Sequence, residues 1–334
     1  MQVRTPTTSS ALVDVLVVGA GPIGLACGIE AKRHGLRARI VEKGGLVNSL
    51  IGYPTNLEFF STPELLEIGG HPLPTANYKP HREETIDYYQ NVALTEVLDV
   101  RLYERVEGVN GTDGAFEIVT SKGTHRARKV VVATGFFDQP NRLGVPGEEL
   151  PKVSHYFKEP YPYASQRVAV VGAKNSAAKV ALDCYRHGAE VTLLVRGPAI
   201  SNSVKYWIKP DVENRIKEGS IRALFNTTVT AIELDAVHVQ TPGGAQVIGN
   251  DFVLAMTGYR PDFRFLEALG IALDGDRRVP QHHPDTMESN RVGVYLAGTV
   301  CGGLNTSRWF IENGRIHAAQ IMGHIATKSP LAVR

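Results

Sequence analysis

Two glycine loops, 153 residues apart, constrain this chain more than any other feature. The first lies in Val13–Lys43, VDVLVVGAGPIGLACGIEAKRHGLRARIVEK. Its apolar run, Val13 to Val18, is broken only by Asp14, as suits a strand covered on both faces of a parallel sheet. Gly19, Gly21 and Gly24 follow in G-x-G-x-x-G spacing, with Pro22 and Ile23 inside the loop. The first glycine permits a tight turn, the second lets the backbone approach a pyrophosphate, and the third lets a helix pack on the strand. That helix is predicted over about Ile23–His34, its first N–H groups aimed at the phosphates. Gly35 ends it. A second strand, Arg37–Val41, then delivers Glu42 and Lys43. A carboxylate at Glu42 suits the two ribose hydroxyls of an adenosine. Strand, loop, helix and acid in this order separate a dinucleotide site from a plain glycine-rich turn.

The second loop lies in Gln166–Pro198, QRVAVVGAKNSAAKVALDCYRHGAEVTLLVRGP. Gly172 answers to Gly19 and Gly188 to Gly35, so two βαβ units imply two dinucleotide sites. The second unit carries Lys174 at the second glycine position, followed by Asn175 and Ser176, and Ala177 at the third. Lys174 places an ammonium near the phosphates. Val195 stands where Glu42 would be, and Arg196 follows. An Arg there pairs with a 2′-phosphate, and no acid repels it. The first unit therefore reads as an FAD site and the second as an NADPH site.

Between the units, the stretch from Lys43 to Gly70 is rich in Gly, Pro and Asn. It is predicted to be an extended loop crossing the cofactor. Asn48, Ser49 and Tyr53 read there either as flavin contacts or as ordinary loop residues. Pro80–Val97 reads as a helix with Ile86, Tyr89 and Ala93 inward. Short strands follow, and Val106 is a candidate for backbone contact with the adenine. Lys129–Gly135, KVVVATG, is an apolar strand ending in small residues, with Thr134 and Gly135 beside the cofactor. Phe136–Pro162 is predicted to be a Pro-rich crossover with no packed element. Asp251–Gly258 is a second strand ending in Thr-Gly; Gly258 and Tyr259 start the return. In Val292–Ile325 a strand ending at Ala297-Gly298 leads through a Gly-rich turn into a helix. Gly298, Thr299 and Ile311 are the candidates there, and the helix N-terminus would face the flavin.

The expected fold is α/β, with two doubly wound Rossmann-type domains. The NADPH domain, 163–284, is inserted in an FAD domain made of 12–162 and 285–334, after a flexible tail at 1–11. The chain has 334 residues, 43% apolar and 21% charged, with a net charge of +2. Neither nucleic acid nor a membrane is implied as a partner. The tail lacks the apolar centre of a signal peptide, and a cytoplasmic location is expected. Cys27, Cys184 and Cys301 are far apart and form no C-x-x-C, which excludes a zinc ribbon and a dithiol redox motif. His282-His283 has no acid-and-His cluster near it in sequence, so no metal is expected.

With these pieces in place the chain resembles the thioredoxin-reductase-like flavoproteins, and within them the bacillithiol-disulfide-reductase group, the YpdA family. The resemblance covers nearly the whole chain. It is most specific at Val47–Ser49 with Tyr53-Pro54-Thr55, at Leu66–Gly69 and at Val145–Lys158. Lys174-Asn175-Ser176, Ala255–Tyr259 and Phe310–Arg315 add to it. It implies bound FAD, NADPH as hydride donor, reduction of a low-molecular-weight thiol disulfide, and a homodimer. Two departures stand out. Many members of the family carry Cys directly after the Pro of the first glycine loop, and disulfide chemistry is assigned to it; here that residue is Ile23. The acid that follows the C-terminal Ala-Gly in thioredoxin reductases is here Thr299. Cys301 has two readings: a replacement nucleophile, its thiolate favoured by the following helix, or a small buried residue in a Gly-rich turn. The missing dithiol and the missing family Cys leave two alternatives. One is an NADPH oxidoreductase that passes electrons to ferredoxin, quinone or oxygen. The other is a non-enzymatic, flavin-bound redox sensor.

Overall fold

A computed structural model describes residues 11–328. The tail expected at 1–11 lies outside the described residues, apart from Ala11. The chain forms two compact units. One comprises the described parts of Met1–Ile51 and Arg260–Arg334 together with Asn56–Gln139; the other comprises Gly52–Thr55 and Pro140–Tyr259.

The first unit is built on Val13–Val18, whose side chains are almost all buried. Asp14, the one polar residue in the run, accepts from Arg37 N at 2.9 Å, so its carboxylate is satisfied at the sheet margin. The strand pairs in parallel with Ala38–Val41 on one side and with Gly123–Val132 on the other. Val100–Arg101 extends the sheet beyond Ala38–Val41, and Val294–Leu296 extends it beyond Gly123–Val132, both in parallel. An antiparallel hairpin, Val106–Thr112 with Ala115–Thr120, attaches to the first half of Gly123–Val132. The helix Pro22–Arg33 starts on a proline, which needs no N–H at that position. It buries Leu25, Ile29 and Ala31.

The second unit repeats this plan. Arg167–Val171, the helix Asn175–Arg186 and Glu190–Leu194 keep the 153-residue offset. The five-stranded parallel sheet runs Arg222–Leu224, Glu190–Leu194, Arg167–Val171, Phe252–Ala255, Val153–Ser154. A three-stranded antiparallel sheet, Thr228–Ile232, Ala236–Thr241 and Gly244–Gly249, lies beside it in sequence.

The units divide at Pro140 and Tyr259, not at 163 and 284. The stretch read as an unpacked crossover carries an edge strand of the second unit, Val153 lying opposite Val253. Leu143, Val145 and Leu150 pack against the second unit's apolar cluster, and Phe157 is buried in its main core. At the far end, residues after Tyr259 are tied to the first unit. Arg291 donates to Leu269 O at 2.9 Å and to Val109 O at 3.1 Å. Among the described residues, no helix is long and apolar enough to cross a membrane.

Candidate functional site

In the first unit the predicted residues converge at the carboxyl ends of the parallel strands, where ligands of such sheets bind. Gly19 has φ +108°, and a Cβ there would stand 2.7 Å from Ala133 O. A Cβ at Gly24 would overlap the Gly19 carbonyl oxygen. By contrast, a Cβ at Gly21 would meet nothing within 4 Å. Gly21 caps the helix without any side-chain hydrogen bond to the first turn. An open cradle over uncapped N–H groups fits a pyrophosphate.

Glu42 closes the far end of this cradle. Its Oε2 accepts from Ala20 N at 2.8 Å and its Oε1 from Gly44 N at 2.9 Å. The carboxyl is buried, and burial pushes its pKa up. Each oxygen keeps a lone pair for a ribose hydroxyl. These residues fit the adenosine and pyrophosphate of FAD. Lys43 turns away, to an ion pair with Asp138 at 2.7 Å. Asn48 packs over Gly44 and begins a short helix, Asn48–Gly52, where an extended loop was expected. Ser49 is half-buried in that helix, and Val106 is buried at the start of its strand. Tyr53 lies in the segment grouped with the second unit, where Thr55 N donates to Lys158 O at 2.9 Å.

Three further pieces meet the glycine loop. Gly135 lies against Thr299, whose Oγ1 would be 3.5 Å from a Cβ there; Thr134 precedes it, half-buried. Gly298 has φ +79°, and a Cβ there would press on the Ile23 side chain at 3.0 Å. Gly314 approaches both, 3.4 Å from the Gly298 Cα and 3.7 Å from Ile23 Cδ1, measured from the Cβ it lacks. Ile23 therefore plugs the gap between the first helix and the C-terminal segment.

The long C-terminal helix expected after the Gly-rich turn is in two pieces. Ile311 opens the four-residue helix Ile311–Gly314, and Ile316–Lys328 follows. Arg315 at the break donates to Glu64 O and Glu67 O, at 2.8 and 2.6 Å.

Cys301 lies in the turn Gly298–Gly302 and is fully buried. Burial pushes its thiol well above the ordinary range. Cys27 and Cys184 are also fully buried, each pushed up to about 12. Thiolate is the reactive form, so this burial speaks for the packing reading of Cys301 and against the nucleophile reading. One residue of this region was missed in the sequence. His317, 1% exposed, accepts from Gly298 N through Nδ1 at 3.0 Å and lies edge-on to Trp309. Its signal was only a His inside an amphipathic helix, which is not distinctive.

In the second unit, Gly172 has φ +142°, and a Cβ there would stand 2.6 Å from Met256 O. Lys174, at the helix N-cap, and Ser176 and Arg196 are exposed. No ion pair or side-chain hydrogen bond ties Arg196 to the described residues, so its exposed guanidinium is open to an anionic group. Gly258 lies 3.5 Å, from its absent Cβ, to Asn141 Nδ2. Tyr259 stacks on Tyr156 at 5.4 Å and donates to His155 O at 2.9 Å. Asn175, expected beside the cofactor, directs both ends of its carboxamide to a loop: Nδ2 to Ser203 O at 3.2 Å, and Oδ1 from Lys205 N at 2.9 Å.

Comparison with known proteins agrees with this geometry. Residues 16–298 match the family model described as pyridine nucleotide-disulphide oxidoreductase. Bacilliredoxin reductase Bdr of Bacillus subtilis (strain 168) is 43% identical, over 94% of this chain and 97% of its own. The solved structure of bacillithiol disulfide reductase Bdr (YpdA) from Bacillus cereus superposes with a TM-score of 0.93. It is 40% identical, over 96% of this chain and all of that one. Thioredoxin reductase of T. acidophilum, 22% identical with a TM-score of 0.76 over 95% of this chain and 98% of that one, shares the fold alone.

Proposed function

The chain belongs to the pyridine nucleotide-disulphide oxidoreductase family, and from that premise we propose that it uses NADPH to reduce a low-molecular-weight thiol disulfide of the bacillithiol-disulfide kind. It is an enzyme of the FAD-dependent, NAD(P)H-oxidising type. The acceptor is carried by one observation: the likeness to the Bdr reductases runs over almost the full length of both chains. The choice of NADPH over NADH rests on Arg196, with Val195 where an acid would favour the unphosphorylated ribose.

FAD, held by the first glycine loop and Glu42, would supply the two-electron chemistry between the nicotinamide and an acceptor. The chain's residues bind and orient. The first glycine loop takes the pyrophosphate, Glu42 the ribose, and Gly298 with Thr299 lies at the carboxyl end of Val294–Leu296. One disulfide needs two electrons and two protons; the hydride and one solvent proton supply them. No protein thiol takes part in this reading, because Ile23 stands at the family's cysteine position and all three cysteines are buried.

That burial also favours a second reading, in which electrons pass to ferredoxin, quinone or oxygen. Anaerobic stopped-flow separates the two. NADPH-reduced enzyme mixed with bacillithiol disulfide is expected to reoxidise rapidly, and equally so in Cys301→Ser. Loss of reoxidation in the mutant would restore a protein thiol to the mechanism. Failure in both proteins would move the acceptor to the electron carriers.

Homodimer assembly is part of the reading. It is supported by exposed Phe60, Leu65 and Ile316, on segments joined by the Ser61–Glu312 hydrogen bond at 2.5 Å. Light scattering at micromolar concentration should give twice the chain mass; a monomer would remove this part.

A further inference from the structure

His317 breaks the ordinary rules of a protein core. It is buried in the helix Ile316–Lys328. Its Nδ1 accepts from Gly298 N at 3.0 Å, so the ring proton sits on Nε2. That N–H is buried and has no hydrogen-bond partner among the described residues. The ring stands edge-on to Trp309 at 4.5 Å, and Trp309 Nε1 is buried without a partner as well. A leucine would fill this space and leave no donor unpaired. Unpaired buried donors are rare because each destabilises the fold, and real proteins break such rules at functional sites. What the histidine adds is one bond, to the Gly298 N–H. Gly298 is otherwise shaped by close packing, its absent Cβ leaving room for Ile23 at 3.0 Å and Gly314 approaching to 3.4 Å. Those contacts fix where Gly298 stands; the His317 bond fixes how its peptide is turned.

Strand order says why that turn matters. The parallel strands of the first unit lie in the order Ala38–Val41, Val13–Val18, Gly123–Val132, Val294–Leu296. Glu42 follows the first and the glycine loop follows the second, so adenosine and pyrophosphate belong to that half of the sheet. The other half of FAD then belongs over the ends of the remaining two strands, at Ala133–Gly135 and Gly298–Thr299. There Thr299 Oγ1 is 3.5 Å from the Cβ that Gly135 lacks. We propose that His317 is a positioning residue for the flavin. By holding Gly298 N it fixes the Gly298–Thr299 peptide, and with it the Thr299 hydroxyl at the flavin end of the site, and so sets the flavin reduction potential. A reduced flavin carries more negative charge than an oxidised one, and a polar hydrogen stabilises that charge most when it is held in place. Without an acceptor at position 317 the Gly298 N–H turns to another oxygen and carries Thr299 with it. The proposal rests on FAD in the first unit and is independent of which acceptor takes the electrons.

The test reads the midpoint potential of the FAD-loaded protein by anaerobic equilibration with a reference dye. His317→Leu should move the ratio of oxidised to reduced flavin at a fixed potential about tenfold toward the oxidised form, a fall of about 30 mV for a two-electron couple. His317→Asn, whose amide oxygen can still accept from Gly298, should stay within about twofold of wild type. Thr299→Val should fall as His317→Leu does, and the double variant should fall no further, because both act through one group. Urea unfolding of the same proteins separates bracing from positioning. A His317→Leu protein that is less stable but keeps the wild-type potential would make the histidine a structural brace and overturn the proposal. An unchanged potential in Thr299→Val would overturn it too, even where His317→Leu fails to hold FAD. A wild type that takes up no flavin would overturn the FAD assignment itself, and this proposal with it.

Discussion

At the scale of single residues the most exacting group is His317. It accepts the Gly298 N–H through Nδ1, so it must be neutral. Burial pushes its pKa down to about 4. Below about pH 6.5 the unfolded chain binds a proton that the folded chain refuses, so stability falls with pH until about 4. Between pH 7 and 5 this group alone should remove about 2 kcal/mol. In His317→Asn the amide oxygen can still accept from Gly298 but does not titrate, and urea unfolding at the two pH values should show that much less acid loss. Equal losses in the two proteins would mean the histidine does not titrate as described. Glu42 shows what the sequence makes plain at this scale and what it hides. Its place after the second strand was readable, because it follows from spacing. That both its oxygens already hold backbone N–H groups was not, since Gly44 and Ala20 reach it only through the turn.

Elements were legible where the pattern is local. The helix expected at about Ile23–His34 runs Pro22–Arg33, and its partner runs Asn175–Arg186, because a glycine lies shortly before and after each. Val153–Ser154 was not legible: its strand character comes from pairing with Val253 and Leu254, a hundred residues away. The break at Arg315 in the C-terminal helix was not legible either; the Arg315 side chain donates there to carbonyls 251 and 248 residues away in sequence. The first glycine loop allows a paired prediction. Gly24→Ala forces a Cβ into the Gly19 carbonyl, a backbone clash that relaxes only by moving the helix, and should destabilise by about 1–3 kcal/mol. Gly21→Ala meets no protein atom within 4 Å and should fold as well as wild type, yet it would fill the open space proposed for the pyrophosphate. Chemical unfolding and absorbance near 450 nm should therefore separate the two: one unstable, the other stable and colourless. A yellow Gly21→Ala protein would place the flavin nucleotide elsewhere.

For the whole molecule, the repeated βαβ unit announced the two-unit plan, and the chain divides into two compact units. The exact crossing points were hidden by composition: a Pro-rich stretch reads as a linker whether or not its few apolar residues find a core. The placement of the cysteines has a wider consequence. Sulfur chemistry in the cell is usually done by exposed thiolates, which are also the atoms that peroxides and alkylating agents attack. This chain keeps all three of its thiols protonated and out of solvent. A chain made in this way offers oxidants no exposed thiolate to attack, and can keep working at the moment when oxidants are most abundant.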